Sequence, residues 1–187
     1  MTEREIISWI NTNLGPVIDQ ALAEATKGKL DLLYTRDWLT AIAMRETGFL
    51  IARYAKQAKT PAQIHPLMRG DYSQRPGEKE KTYHGYGYWQ IDIASYPAFV
   101  ESGDWKDPLK TCRKAIAVLE EKRIYLQQQF PVLTGEELNR AITAAYNCGQ
   151  GNVAKAIRAK RDVDVYTHQK NYSAEVWRYR EIACAVA

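Results

Sequence analysis

Thr35-Arg36-Asp37-Trp38-Leu39-Thr40-Ala41-Ile42-Ala43-Met44-Arg45-Glu46 is the stretch on which the fold turns. Leu39, Ile42 and Ala43 set up one apolar stripe at helical spacing, and Glu46 follows them by seven, four and three residues, so its carboxylate shares their face. A carboxyl group placed there is expected to be shielded from water. Desolvation disfavours the charged form and lifts the pKa toward neutrality, which suits a general acid working near pH 7. The plainer alternative is a carboxylate at a helix end that pairs with Arg45 or Arg36.

Helical patterns continue in both directions from this segment. Upstream, Thr2 with Glu5 forms a capping-box pattern for a helix with Ile6, Ile7, Ile10 and Leu14 on its apolar side, stopped by Gly15-Pro16. A second helix from about Pro16 to Lys27 uses Val17, Ile18, Ala21, Leu22 and Ala25, with Gly28 at its end. The third starts at a Thr35 cap, and Gly48 is a candidate end for it, although 49–55 has the composition to prolong it.

From Lys59 to His84 periodicity gives way to Pro61, Pro66, Gly70, Pro76 and Gly77 and the charge run Glu78-Lys79-Glu80-Lys81, an irregular excursion with room for a short hairpin. Loops of that length are usually functional or disordered, and this one lies between two segments that carry candidate chemistry, so it is expected to wall a cleft. Asp107-Pro108 opens a long helix closed by Pro131, and Thr134 with Glu137 reads as another capping box. After the turn 147–151 comes a short helix with Val153, Ala154 and Ile157, and Thr167 caps a last one with Tyr172, Val176 and Ile182. The expectation is a single domain over 1–187, mainly α, with N-terminal helices in 1–34 and the catalytic core in 35–187. It has six to eight helices and at most a small hairpin beside the cleft.

The chain's 187 residues, 45% hydrophobic, suffice for one core and do not require two. A net charge of +4 is a mild bias toward anionic partners, well short of the charge density of a duplex-binding protein. The basic cluster from Lys155 to Arg161 is more simply a solvated helix face, and no nucleic-acid partner is expected. Cys112, Cys148 and Cys184 are odd in number and far apart, with no zinc spacing, and read as reduced core residues. No run approaches the roughly 18 apolar residues of a membrane span, and the N-terminus lacks a signal-peptide pattern, so synthesis in the cytoplasm is expected.

Two further segments bear on Glu46. Gly85-Tyr86-Gly87-Tyr88-Trp89-Gln90-Ile91-Asp92 combines alternate glycines, which allow close backbone approach, with aromatic faces on which sugar rings can pack. Ala145-Tyr146-Asn147-Cys148-Gly149-Gln150-Gly151-Asn152-Val153 puts a hydroxyl and an amide at a helix end, with glycines that turn the chain. Each also has an ordinary explanation, an aromatic core turn and a glycine-ended helix.

Taken in order with Glu46-Thr47 and with Thr167 and Tyr172, these segments resemble goose-type lysozymes and the related lytic transglycosylases of the lysozyme-like superfamily. In that family a helix delivers a catalytic Glu, followed by Gly-x-Gly-x-x-Gln-[Ile/Val], then Ala-Tyr-Asn-x-Gly-x-Gly-Asn-Val, then a late Tyr. The resemblance runs from about Thr35 to the C-terminus. It implies a lysozyme-like α+β fold and cleavage of the β-1,4 bond between N-acetylmuramic acid and N-acetylglucosamine in peptidoglycan, with Glu46 as proton donor. It further implies that Tyr172 positions or polarises the acid, while Gln90, Tyr146, Asn147, Thr47 and Tyr88 line the substrate site.

Departures from the family pattern are specific. Tyr88-Trp89 replaces the usual Leu-Met, Thr47 the usual Ser, and Cys148 the usual Ala. The N-terminal cysteines of the secreted avian enzymes are absent. The acidic residue that goose-type enzymes carry shortly before the glycine segment has no counterpart by counting, which lands on Lys81 or Thr82. Asp71, Glu78 or Glu80 could serve only if the loop folds back.

Gln90-Ile91-Asp92 matches the goose-type Gln-Val-Asp, whereas the transglycosylases resembling this chain more often continue Gln-Ile-Met-Pro. The expectation is therefore an inverting hydrolase in which Asp92 positions water, with a lytic transglycosylase as the alternative and Asp92 then reduced to a helix cap. A non-catalytic peptidoglycan-binding module is a remoter reading. No metal or organic cofactor is called for, since acid catalysis and water suffice. The expected partners are peptidoglycan glycan strands and an inhibitor or immunity protein, the expected state a monomer acting on the wall after release, injection or secretion.

Overall fold

The two N-terminal helices expected from the sequence are one. In the computed structural model of the chain, which describes residues 1–27 and 34–186, helix α1 runs unbroken over Glu3–Lys27 with Pro16 inside it. The Thr2/Glu5 capping box forms as expected, Thr2 N donating to Glu5 Oε2 at 2.7 Å and Glu5 N to Thr2 Oγ1 at 3.2 Å. Gly15-Pro16 fails to stop the helix because Ile6, Ile10, Leu14, Ile18 and Ala21 make one continuous buried stripe across it. Arg36 also packs against Gly15 and donates from Nη2 to the Asn11 carbonyl at 3.0 Å, tying α2 to the helix just before the proline. Gly28, expected to close this helix, lies outside the described residues.

Helix α2 (Arg36–Lys56) starts after Thr35, as the sequence indicated, but passes through Gly48 for two further turns. Gly48 is a packing position, since a Cβ there would lie 2.6 Å from the Met44 sulfur. Short α3 (Pro61–Ile64) and a 3₁₀ turn at His65–Leu67 follow, then strands β1 (Arg69–Ser73), β2 (Thr82–Tyr86) and β3 (Ile91–Asp92). The strands form an antiparallel sheet in the order β1-β2-β3, with Gly70 opposite Gly85 and Gly85 opposite Asp92. The excursion is thus more ordered than its composition suggests. Its middle is a folded-back hairpin, and a third strand exceeds the single hairpin expected.

Helices α4 (Pro97–Glu101), α5 (Pro108–Gln129), α6 (Gly135–Cys148), α7 (Gln150–Arg158) and α8 (Tyr172–Ala185) complete the fold. Asp107 caps α5, accepting from Leu109 N at 2.8 Å. Two other expected caps make no side-chain cap bond, Thr35 before α2 and Thr134 before α6, whereas Thr167, five residues ahead of Tyr172, does accept from the Tyr172 N–H at 3.3 Å. Buried Asp164 satisfies the next two donors of α8, accepting from Ser173 N at 2.9 Å and Ala174 N at 3.2 Å.

The core lies where α2 meets α1, α6 and α8, around Trp38, Leu39, Ile42, Ile142 and Val176. Eight α-helices and one small sheet among the described residues make the architecture mainly α, consistent with the lysozyme-like fold expected. No described helix is long and apolar enough to cross a membrane. The three cysteines are free, but only Cys112 is buried; Cys184 is exposed, which corrects its assignment to the core.

Candidate active site

Glu46 stands at the end of the buried stripe of α2, half-buried where the helix passes the sheet. Burial pushes its carboxyl pKa up to about 7, while the Tyr172 hydroxyl bonded to it and the nearby Arg45 charge pull the other way without overcoming the shift. Tyr172 donates to Glu46 Oε1 from the first turn of α8, and its own pKa is driven up by its burial and the adjacent carboxylate. The arginines that offered an ordinary explanation for Glu46 are taken up elsewhere. Arg45 pairs with Glu175 at 2.8 Å and Arg36 with Asp19 at 3.1 Å.

Glu46 opens into a hollow of about 490 Å³ lined also by Phe49, Gly70, Asp71, Arg75, Gln90, Asp92, Tyr146, Asn147, His168 and Tyr172. A second hollow of about 320 Å³ shares Gln90, Asp92, Tyr146 and Asn147 and continues over Tyr96, Lys122 and Cys148. Through these shared residues the two hollows adjoin and form one groove beside the acid.

Residues 88–90 form the hub of this groove. Trp89 is buried and donates from Nε1 to the Leu39 carbonyl of α2 at 2.9 Å, and Tyr146 Oη of α6 donates to the Trp89 carbonyl at 2.6 Å. Thr47 Oγ1 donates to the Tyr88 carbonyl at 3.0 Å. Three bonds from two helices thereby fix the turn that presents Gln90. Burial raises the pKa of Tyr146 further, so its hydroxyl remains a neutral donor.

The glycines near Gln90 have a different use from the ligand approach expected of them. A Cβ on Gly70 would come within 2.2 Å of Gln90 Oε1, and one on Gly85 within 2.4 Å. The facing pair is a slot for this side chain, whose Nε2 donates to the Gly87 carbonyl at 2.8 Å. Gln90 itself has φ of 48°, a left-handed backbone held by the surrounding hub.

Of the expected site residues, Glu46, Asp92, Gln90, Tyr146, Asn147 and Tyr172 line one hollow. Two do not reach it. Thr47 is fully buried and spends its hydroxyl on the Ala43 and Tyr88 carbonyls, while Tyr88 is 1% exposed and turned into the core between Trp9 and His65. Both correct the expectation of substrate contact; they belong to the scaffold. Asn147 is exposed, with Oδ1 accepting from His168 N at 2.9 Å, which leaves its amide hydrogens for a ligand.

Asp92 is engaged on both oxygens. Oδ1 accepts from Ser95 N at 2.9 Å, capping a turn rather than the following helix as foreseen in the alternative, since Tyr96 is the N-cap of α4, and Oδ2 pairs with Arg75 at 2.7 Å. The same guanidinium pairs with Asp71 at 2.9 Å, and this pairing and the Ser73 hydroxyl hold Asp71 below the usual carboxylate range despite some desolvation. The hairpin therefore folds back far enough to bring Asp71 to the groove; Glu78 instead bonds His84 and the Arg75 backbone. Arg75 and Phe49 were not singled out from the sequence. An arginine in an aperiodic loop gives no signal, whereas Phe49 could have been found, since it follows Glu46 by three residues on the same helix.

The chain is matched by no protein-family model and by no curated protein.

Proposed function

We propose that this protein is a glycosidase that cleaves the β-1,4 bond between N-acetylmuramic acid and N-acetylglucosamine in peptidoglycan. The observation that carries the proposal is Glu46: a half-buried carboxyl with its pKa raised to about 7, bonded to Tyr172 and open to a hollow that adjoins a second one. A carboxyl group with that pKa is substantially protonated at neutral pH and regains a proton easily, the compromise general acid catalysis favours.

With a glycan strand in the groove, Glu46 delivers its proton to the glycosidic oxygen as the C–O bond to C1 breaks. Tyr172 bonds the carboxylate as it forms, and Gln90, Tyr146 and Asn147 supply polar groups to the N-acetyl sugar. In the inverting version a water held by Asp92 attacks C1 from the opposite face and loses its proton to that carboxylate. The occupancy of both Asp92 oxygens specifically favours a second version, in which no protein base serves the nucleophile. There the muramic C6 hydroxyl attacks C1, Glu46 accepts the displaced proton after giving its own, and a 1,6-anhydro sugar results.

Digestion of purified peptidoglycan followed by mass analysis of the fragments tests the proposal. Cleavage at muramic acid with new reducing ends supports the hydrolase, and anhydromuramic ends support the transglycosylase. Glycan binding with no cleavage at any pH between about 4 and 8, the range over which a carboxyl acid near neutrality changes state, would reduce the protein to a binding module.

A further inference from the structure

Behind the groove wall, β2 carries a histidine whose two ring nitrogens both face acceptors. His84 is 1% exposed; its Nδ1 lies 2.8 Å from the Asp71 backbone carbonyl and its Nε2 2.8 Å from Glu78 Oε1. A carbonyl oxygen only accepts, and so does an ionised carboxylate, so each ring nitrogen must carry a hydrogen. Glu78 is ionised in this setting, since the Arg75 backbone N–H, donating at 2.6 Å, and His84 itself hold its pKa below the usual value. Other polar groups facing the ring are Ser73 Oγ at 3.3 Å from Nδ1, the Asp71 carboxylate at 3.5 Å, and the opposing charge of Arg75.

The residues tied to this ring are those that set the groove's carboxylates. Asp71 sits at φ of 49°, a backbone state a non-glycine residue keeps only when its surroundings hold it there. Its carbonyl is the one His84 grips. Glu78 joins the ring to the Arg75 backbone, and the Arg75 side chain bridges Asp71 and Asp92. We propose that His84, as an imidazolium clasped between Glu78 and the Asp71 carbonyl, is a positioning residue that holds the turn from which Arg75 sets Asp71 and Asp92 in the groove. The catalytic part of this inference rests on the glycosidase reading above; the clasp itself does not.

Desolvation lowers the His84 pKa, but the bonds to Glu78 and to the Asp71 carbonyl together outweigh it and leave the ring above the usual 6.5. A raised histidine pKa gives stability that is fully present below the unfolded value and is lost as pH rises through the folded one. The clasp is accordingly closed while the ring is protonated and opens as pH rises through a folded pKa that lies above the usual one.

The test uses the full-length protein with His84→Gln, Glu78→Gln and Glu78→Asp. Proton NMR of the histidine rings, with His84 identified by its loss in His84→Gln, should place its titration above that of an ordinary imidazole in the wild type and lower it in Glu78→Gln. Both His84→Gln and Glu78→Gln should speed exchange of the Arg75 guanidinium protons and lower kcat on peptidoglycan by up to about 10²-fold, with KM little changed, as misplacement of groups at a reacting centre does. Glu78→Asp should restore part of the loss. A lowered melting temperature with kcat and Arg75 exchange unaltered would make His84 a stability residue only and overturn the proposal, as would an ordinary titration of His84 in the wild type. If the wild type cleaves no glycan, the glycosidase reading fails, while the NMR arms still decide whether the clasp exists.

Discussion

The Tyr172 hydroxyl donates to Glu46 Oε1, tying the start of the last helix to the middle of the second across 126 positions of sequence. The bond has two opposed consequences. It stabilises the carboxylate and so lowers the pKa, yet the packing that brings Tyr172 there strips water from the same group, and desolvation is the larger effect. Asp164, which holds the first turn of α8 through Ser173 and Ala174, is therefore part of the apparatus that fixes the acid, although it is remote in sequence from Glu46.

Glu46→Gln should keep the fold and glycan binding, because the amide fills the same volume, and lose about 10²- to 10⁴-fold in turnover, the usual worth of general acid catalysis. Turbidity loss of cell-wall suspensions, measured beside binding to insoluble peptidoglycan, checks both halves. Near wild-type lysis by the variant would refute the role of Glu46.

The same variant should alter the pH dependence of stability. Glu46 has a folded pKa of about 7 against the usual 4.5 of a free glutamate, so the protonated form is favoured by folding; its contribution is complete below the lower value and is lost as pH rises through the higher. Glu46→Gln lacks a charge to bury. Its melting temperature should match the wild type near pH 4 and exceed it increasingly toward pH 8, and parallel curves across that range would show that the carboxyl titrates normally.

Tyr172→Phe removes a donor that favours the carboxylate. The alkaline limb of kcat/KM should move to higher pH as the acid becomes harder to ionise. The maximal rate should fall about 10- to 10²-fold, in line with a lost hydrogen bond to a charged group. An unshifted limb in a folded variant would dissociate Tyr172 from the acid.

Gly70→Ala separates binding from stability. The added methyl meets the tip of the Gln90 side chain, a flexible end that can swing away, and meets no backbone. Unfolding should change by less than about 1 kcal/mol, within the small effects typical of substitutions that strain no core or backbone. Glycan affinity should drop more clearly because Gln90 leaves its slot, and unchanged affinity would show that its placement is immaterial.

The fold was legible wherever a helix had a long apolar face and a local start signal. α2, α5 and α7 follow the expected outline, and Glu46 was singled out by the stripe it interrupts. α1 was divided in two because a Gly-Pro pair outweighs local pattern, whereas the chain is held together by Arg36 and by the core, both nonlocal. The hairpin was legible only as room for one, and its ordering was not: it carries Asp71, Arg75 and His84, whose pairings cross the turn and leave no periodic trace in the sequence. Thr47 and Tyr88 were placed in the groove by resemblance alone, without weighing that the turn they flank has a buried side. Asp164 escaped because it caps α8 from nine residues before Ser173, beyond any local capping pattern.

Asp92 separates the two chemistries. If it holds the attacking water, its carboxyl faces Glu46 at about 6.5 to 9.5 Å, the spacing that leaves room for water on the far side of the sugar. Its bonds to Ser95 N and Arg75 then serve to aim the remaining lone pairs, and the products are reducing sugars of inverted anomeric configuration. Asp92→Asn keeps an oxygen for Ser95 but loses the charge that pairs with Arg75, so hydrolysis should fall strongly while glycan binding persists. If the fragments instead end in 1,6-anhydromuramic acid, the attacking group is the substrate's own C6 hydroxyl and needs no second carboxylate. In that case Asp92→Asn should cost little more than a weakened turn, on the order of 1 kcal/mol in stability, with the cleavage rate nearly intact. Rate, anomeric form and end-group mass, measured on one variant, therefore assign both the reaction and the work of this residue.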